Sequence, residues 1–241
     1  RVTGTLNTYA KQAKIIHFDI DAAEFNKNVT VDLAVHGDCK DTIPAVTEYL
    51  DDAKRDSWIA SFKPYEEKEY NKVIKKAVEP ADGPLLMGEV VRKVSELSNN
   101  EAVLVTDVGQ NQLFGCRYFK YTRPRSVVTS GGIGTMGFGL PAAIGATFGA
   151  PERTVCVFCG DMFFDHRYSF TKMVNPDYEL IAKAYNIPAR TVIERKDLDE
   201  AIRDMLGTPG PYLLQCAVME EDNVLPMTPP GADVDKMLLE I

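Results

Sequence analysis

The chain has 241 residues and a net charge of −8, with a sequence pI of about 5.0. That length suits one large domain or two modest ones, and 45% hydrophobic with 26% charged residues allows an ordinary buried core. The acidic balance argues against a nucleic-acid or anionic-membrane surface, which would need a basic face.

An anionic cofactor stays open if a metal supplies positive charge. No apolar run approaches the length of a membrane span, and no signal peptide is visible. The chain opens at Arg1 rather than Met, in what reads as mid-domain text, so its true N-terminus is expected elsewhere. Five Cys, an odd and thinly spread set, suit a reduced, cytoplasmic setting. Cys156 and Cys159 form a C-x-x-C, but residues three apart on a strand face opposite ways. Both are read as packing residues.

Residues 1–50 read as the tail of an α/β domain. Lys14–Ile20 is an apolar run suited to a buried parallel strand. Asp21 and Glu24 have capping-box spacing. Leu33–Val35 is a second short strand ending at Gly37-Asp38, and Asp41–Leu50 is a helix. Residues 51–82 are a polar connector with helical patches such as Glu66–Ala77, and they hold the only Trp, Trp58. A second domain, 83–241, opens with Leu86–Leu97, whose apolar residues recur at helical spacing. Ala102–Val105 and Ser126–Thr129 are strands, Leu140–Phe148 a helix and Val155–Cys159 a strand. Tyr178–Tyr185 (helix), Arg190–Val192 (strand), Leu198–Leu206 (helix) and Pro211–Val218 (strand) follow. The tail from Asn223 is too rich in Pro for a regular element. Alternating strand and helix implies an α/β fold with a doubly wound parallel sheet.

In such sheets ligands sit beyond the carboxyl ends of the strands. Asp107–Asn111, Gly131–Met136 and Gly160–Asp161 all fall there. Glycines let backbone amides approach an anion closely, and a helix N-terminus adds a favourable dipole. An Asp just past a buried strand is placed to hold a hard cation. Together they suggest a magnesium-bridged diphosphate site. His17 and His36 read as structural, and His166 as part of a surface loop.

The runs TDVGQNQ, RPRSVVTSGGIGTMGFGLPAAIGA and VFCGD closely resemble thiamine-diphosphate enzymes, and among them the C-terminal part of the acetolactate synthase catalytic large subunit. KIIHFDIDAAEFNKN and HGDCK resemble the end of that family's Rossmann-like, FAD-binding central domain, and DNVLPMTPPGA resembles its tail. The resemblance implies that Gly109, Gln110 and Asn111 match a GQHQ loop on the diphosphate, with Asn111 in place of a common His. Gly134, Thr135 and Met136 match the turn beneath the cofactor, and Met136 the bulky residue that holds it in a V shape. Gly160 and Asp161 match the start of the metal motif, with Asp161 the first Mg²⁺ ligand. Asp19, Ile20, Asp38 and Cys39 match the surroundings of a FAD that has no redox role. For Asp19 and Asp38, plain capping or turn chemistry is an equal reading.

The implied activity joins pyruvate, after decarboxylation, to a second 2-oxo acid, on the route to valine and isoleucine. A homo-oligomer and a regulatory small subunit are family expectations. Alternatives are another thiamine-diphosphate decarboxylase, oxidase or carboligase, or a non-catalytic homologue that kept only the fold. Two parts of the family pattern are missing. One is the catalytic Glu of an N-terminal domain, so this chain alone is expected to be inactive. The other is the helix, strand and Asn-Asn that follow the GDG motif, because Gly160-Asp161 runs directly into Met162-Phe163. A crossover helix and its strand take roughly 30 residues. The expectation is a segment between Asp161 and Met162 that was disordered in a crystal lacking thiamine diphosphate and Mg²⁺; the alternative is a true deletion.

Overall fold

A computed structural model describes residues 3–160, 175–220, 222–229 and 231–240. The chain divides into two units, Arg1–Tyr70 with Leu225–Ile241, and Asn71–Val224. The division lies before the expected boundary at 83 because Val73 and Val78 are already buried, Val78 within the second unit's core. The tail groups with the first unit rather than the second. Thr5 Oγ1 donates to Gly231 O at 3.1 Å, and Thr8 Oγ1 to Asp233 Oδ1 at 2.7 Å.

In the first unit, β1 (Ile16–Asp19) and β2 (Leu33–His36) pair in parallel, with Ile16 opposite Leu33 and Asp19 opposite His36. Asp21 caps a 3₁₀ turn at Ala22–Glu24 through Ala23 N. Asp38 caps α1 (Cys39–Thr47), which therefore starts two residues before the expected helix. The connector forms α2 (Asp56–Ala60) and α3 (Lys63–Glu69). No described residue of 3–70 is buried, and Ile16, Leu33 and Ile20 are each more than half exposed. Parallel strands are ordinarily covered on both faces. The described part of this unit has no core of its own.

The second unit has a core, and it forms around one strand. After α4 (Lys75–Val78), α5 (Met87–Leu97) turns Val90, Val91 and Val94 inward, as its spacing predicts. All four residues of β3 (Val103–Thr106) are buried. Then come α6 (Gln110–Tyr118), β4 (Val127–Val128), α7 (Gly139–Gly149) and β5 (Val155–Phe158). The sheet order is β4-β3-β5, all parallel, with Leu104 opposite both Val127 and Cys156. Side chains alternate across a strand. Leu104 and Cys156 join Val90, Val94, Phe114 and Tyr118 on one face, while Val103 and Val105 meet Ala142, Ala143 and Ala146 of α7 on the other. Helices cover both faces, so the sheet is doubly wound. The chain leaves β3 toward β4 on one side and comes back to β5 on the other. The carboxyl end of β3 is thus the switch point where such folds place ligands.

The rest forms α8 (Tyr178–Ala184), β6 (Ala189–Val192), α9 (Leu198–Gly207) and β7 (Leu213–Cys216). β6 and β7 pair in parallel, and Val192, Leu198, Ala201 and Ile202 share the core that holds Leu104. Among the described residues, no strand pairing joins β5 to β6. The expected single sheet is present in two parts. No helix of the described residues is long and apolar enough to cross a membrane.

One ion pair ties the start of α5 to the segment before α9. Glu89 is 3% exposed. Its carboxylate accepts from Arg195 Nε at 2.7 Å and Nη2 at 3.0 Å, and from Leu86 N at 2.7 Å. Arg195 Nη2 also donates to Pro84 O at 2.8 Å. Removing one partner of such a pair leaves a charge without compensation. Arg195→Ala is expected to cost roughly 2–4 kcal/mol in urea denaturation; a loss below about 0.5 kcal/mol would place the pair among ordinary surface contacts.

Candidate functional site

Three loops meet at the carboxyl ends of β3, β4 and β5, and side chains from each hold the next. Thr106 Oγ1 lies 2.7 Å from Thr129 Oγ1, and Gln112 Nε2 donates to the same Thr129 oxygen at 2.8 Å. Asp107 follows β3. Its Oδ1 accepts from Val108 N at 2.7 Å and Gly137 N at 3.0 Å, and its Oδ2 from Gly139 N at 3.0 Å. Burial pushes this carboxyl up, but the amides of Val108, Gly139 and Gly137 together hold it below the usual carboxylate value. Gly139 packs tightly against Asp107. A Cβ there would sit 3.0 Å from Asp107 N and 3.2 Å from Oδ2.

This corrects one reading of the glycine-rich run. At the amino end of α7 the first amide, Gly139 N, is already taken by the Asp107 carboxylate. Gly134 and Thr135 instead shape the turn: both donate to Ser130, from Gly134 N to its carbonyl and from Thr135 N to its hydroxyl, each at 3.0 Å. Between these anchors Met136 is 72% exposed, standing free above the strand ends.

The helix end that stays open belongs to α6, an element the sequence reading does not contain. Gly109, at φ 131° and ψ −157°, turns the chain from β3 into it, a conformation that favours glycine. Among the described residues, the backbone amides of Gln110 and Asn111 meet no acceptor. Their side chains hold the protein rather than point outward. Gln110 Nε2 donates to Asp222 O at 2.6 Å. Asn111 is fully buried, and its Nδ2 donates to Gly160 O at 2.6 Å and to Val108 O at 3.2 Å. Its Oδ1 is buried without a partner. Asp222 also belongs to this cluster, though nothing in its sequence context signals a partner so far away. Its Oδ2 has no partner, and burial pushes its carboxyl up to about 6.

Gly160 is therefore held by Asn111, while Asp161 and His166 lie outside the described residues. So does the junction of Asp161 with Met162. Among the described residues no cluster of three or more His, Cys, Asp or Glu could hold a metal. Cys156 is buried as expected, but Cys159 is exposed, past the end of β5, and is not a packing residue. Burial and then the Asp107 charge push its thiol up, away from the reactive thiolate.

In the first unit, Asp19, Ile20, Asp38 and Cys39 gather at the carboxyl ends of β1 and β2. Asp19 Oδ1 accepts from Asp21 N and Asp38 Oδ1 from Lys40 N, both at 2.8 Å. These are the turn and capping roles of the plainer reading. Ile20 and Cys39 are exposed. His17 and His36 are structural: their rings meet Phe25 edge-on at 5.1 and 6.2 Å. His17 Nε2 also lies 3.4 Å from Asp19 Oδ2, a partner the sequence does not reveal.

Comparison with known proteins agrees with this layout. Residues 107–166 match the family described as thiamine pyrophosphate enzyme, C-terminal TPP binding domain. Residues 1–46 match thiamine pyrophosphate enzyme, central domain. Thiamine pyrophosphate is the same compound as thiamine diphosphate. The chain is 33% identical over 280 positions to the acetolactate synthase isozyme 2 large subunit of Escherichia coli, which covers 99% of this chain and 49% of that protein. It is 32% identical to acetolactate synthase 1, chloroplastic, of Nicotiana tabacum, over 100% of this chain and 43% of that protein. It is 31% identical to the probable acetolactate synthase large subunit of Methanococcus aeolicus, over 99% and 48%. Residues 1–46 and 107–166 thus match the central and C-terminal domains of thiamine pyrophosphate enzymes, and the chain spans about half the length of these relatives.

The half-buried Asp222 gives a pH signature. Its folded pKa is raised, so its contribution to stability is complete below the unfolded value of 3.8 and is lost as pH rises through about 6. Asp222→Asn is expected to stabilise the protein above that pH by roughly 1–2 kcal/mol, allowing for solvent screening, and to be neutral near pH 4. Denaturant melts at the two pH values check this; a pH-independent difference would place the carboxyl in water.

Proposed function

We propose that the chain is part of an acetolactate synthase, a carboligase that decarboxylates pyruvate and joins the product to a second 2-oxo acid. The observation that carries this is the switch point of β3, where two uncommitted amides of α6 lie at the same strand ends as the exposed Met136. Both fall within the stretch that matches the thiamine pyrophosphate-binding family. The residues present fit an anionic cofactor of this kind. Even in an acidic protein, backbone amides and the positive end of a helix can receive a diphosphate.

In this reading Gly109, Gln110 and Asn111 receive the diphosphate through their amides. Gly134 and Thr135 support the ring system, and Met136 presses on it to fix its bend. Thiamine diphosphate, when bound, supplies the nucleophilic carbon and the electron sink. The protein's own contribution is geometry: a packed turn holds Met136 at a set height. Asp161, directly after Gly160, is the proposed first ligand of a Mg²⁺ that bridges to the diphosphate. A non-redox FAD is proposed near Asp19, Ile20, Asp38 and Cys39.

A homo-oligomer accompanies this activity. The outer side of α7 supports it: Leu140, Ile144 and Phe148, spaced by one helical turn, are 61%, 54% and 82% exposed. Large-subunit relatives suggest a regulatory small subunit as a further partner. The five cysteines are unbridged, which suits a reducing, cytoplasmic setting.

A missing segment between Asp161 and Met162 belongs to the same proposal. The alignment with the E. coli protein runs over 280 positions, more than the 241 residues here. The relatives therefore have residues inside the matched span that this chain lacks. The unjoined edges of β5 and β6 suit one more parallel strand.

The full-length protein, given pyruvate, thiamine diphosphate and Mg²⁺, is expected to form acetolactate. Acetaldehyde would make it a decarboxylase, and acetyl phosphate with peroxide an oxidase. The 241-residue chain alone is expected to form none of these, and acetolactate from it would refute the need for further residues. Peptide mapping of the protein isolated from its source is expected to show extra residues between Asp161 and Met162; a peptide joining the two directly would establish a deletion.

A further inference from the structure

The amino end of α7 is occupied from within the protein, and this assigns a role to a residue outside the family's cofactor contacts described above. We propose that Asp107 is a positioning residue: its carboxylate anchors the 131–138 turn, and with it Met136, to the carboxyl end of β3, and directs the ligand's anion to α6 instead of α7.

Four observations support the anchor. Asp107 is the first residue after the most buried strand, and its own N–H continues the sheet by donating to Phe158 O at 3.0 Å. Its backbone is thus tied to β5. Its two oxygens take two amides just after Met136: Gly137 on Oδ1 and Gly139 on Oδ2, each at 3.0 Å. The α7 N-cap residue, Phe138, offers no side-chain cap, so this carboxylate, 32 residues upstream of Gly139, performs the capping. Finally, a second anion at the same amides would meet a carboxylate already there. Like charges at that distance repel, so an incoming diphosphate is turned to the open amides of Gln110 and Asn111.

The turn itself has little else to fix it. Gly132 and Gly137 leave the space beside them open, and Ile133 is 92% exposed. Ser130 holds the first half of the turn through Gly134 and Thr135. Only Asp107 holds the second half among the described residues. A side chain that must press on a ligand from such a turn needs both ends tied, since a misplacement of about 1 Å is enough to cost catalysis.

The inference about the anchor stands on geometry alone; its consequence for Met136 rests on the proposed cofactor reading. The test separates the two, in the full-length protein with Asp107→Asn. The first arm uses no cofactor. Amide hydrogen exchange at Gly139 is expected to speed up roughly tenfold or more in the variant, as the loss of a charge-assisted bond implies. Unchanged exchange overturns the proposal. The second arm is a double-mutant cycle with Met136→Ala, read as kcat and as Mg²⁺-dependent thiamine diphosphate affinity. Met136→Ala is expected to lower kcat in the wild type and to have much less effect once Asp107 is Asn. Additive effects would mean that Asp107 does not act through Met136, and would overturn that half. Wild-type protein that shows no thiamine diphosphate binding, with exchange at Gly139 responding as expected, would defeat the cofactor reading and support the anchor. If Asp107→Asn does not fold, Gly139→Ala tests the same contact, because its Cβ would press on Asp107 at 3.0–3.2 Å with the charge intact.

Discussion

The burial of β3 on both faces is the constraint from which the second unit follows. Four consecutive residues, Val103 to Thr106, are all shut from solvent. A strand with no polar face cannot lie at a surface, so helices must cover it on both sides. That requires crossover connections, parallel neighbours and loops gathered at one edge. The chain departs from β3 in both directions, to β4 and to β5, and opens a crevice at its carboxyl end. Thr106 and Asp107, Gln112, Thr129 and Ser130 then join the loops by hydrogen bonds. The opposite end is closed by Arg153, whose guanidinium donates to Glu101 O and Ser126 Oγ at 2.7 Å. A cleft of ≈ 280 Å³ opens there, lined by Arg123 as well as Arg153.

Charge enters the site in an unusual balance. The protein is acidic, and the two carboxyls beside the switch point respond in opposite directions. Asp107 is surrounded by amide donors and stays ionised. Asp222 is desolvated without a partner, which pushes its carboxyl up to about 6. The first amide of α7 is taken by the Asp107 carboxylate, while the amides of Gln110 and Asn111 meet no acceptor among the described residues, so the two helix ends are unequal. An anion would meet a carboxylate at the first and N–H groups without an acceptor, among the described residues, at the second.

Much of this was legible in the sequence, because it depends on local pattern. The spacing of Val90, Val91 and Val94 predicts α5, and unbroken apolar runs predict β3 and β5. Glycine clusters at strand ends mark the loops. What was hidden depends on distance along the chain. α6 starts with Gln-Asn-Gln, which carries no helical apolar signal; Phe114 and Tyr118 become its inward face only because α5 and β3 are there to receive them. The capping of α7 cannot be read near Phe138, since its acceptor sits on another loop. Asn111 resembles a ligand contact in its motif, and its Nδ2 is committed to Val108 and Gly160 while its Oδ1 has no partner among the described residues. Motif position fixed where the residue lies, and packing fixed what its atoms do.

The two parallel sheets of the second unit carry the argument one step further. Val192 and Ile202 share a core with Leu104, so β6 and α9 belong to the same layer structure as β3. Yet β5 bonds only to β3, and β6 only to β7, among the described residues. A parallel strand with one edge unpaired in the middle of a layer leaves a row of backbone N–H and C=O groups unsatisfied. Natural sheets avoid this by placing another strand there. The segment proposed between Asp161 and Met162 would fall shortly after β5, which ends at Phe158. The aligned relatives offer the same conclusion from a different direction, since they carry residues within the span that this chain does not. A helix and a strand inserted at that point would close the sheet, and they would do so at the edge where Asn111 already holds Gly160. The same insertion that completes the fold would therefore complete the candidate site.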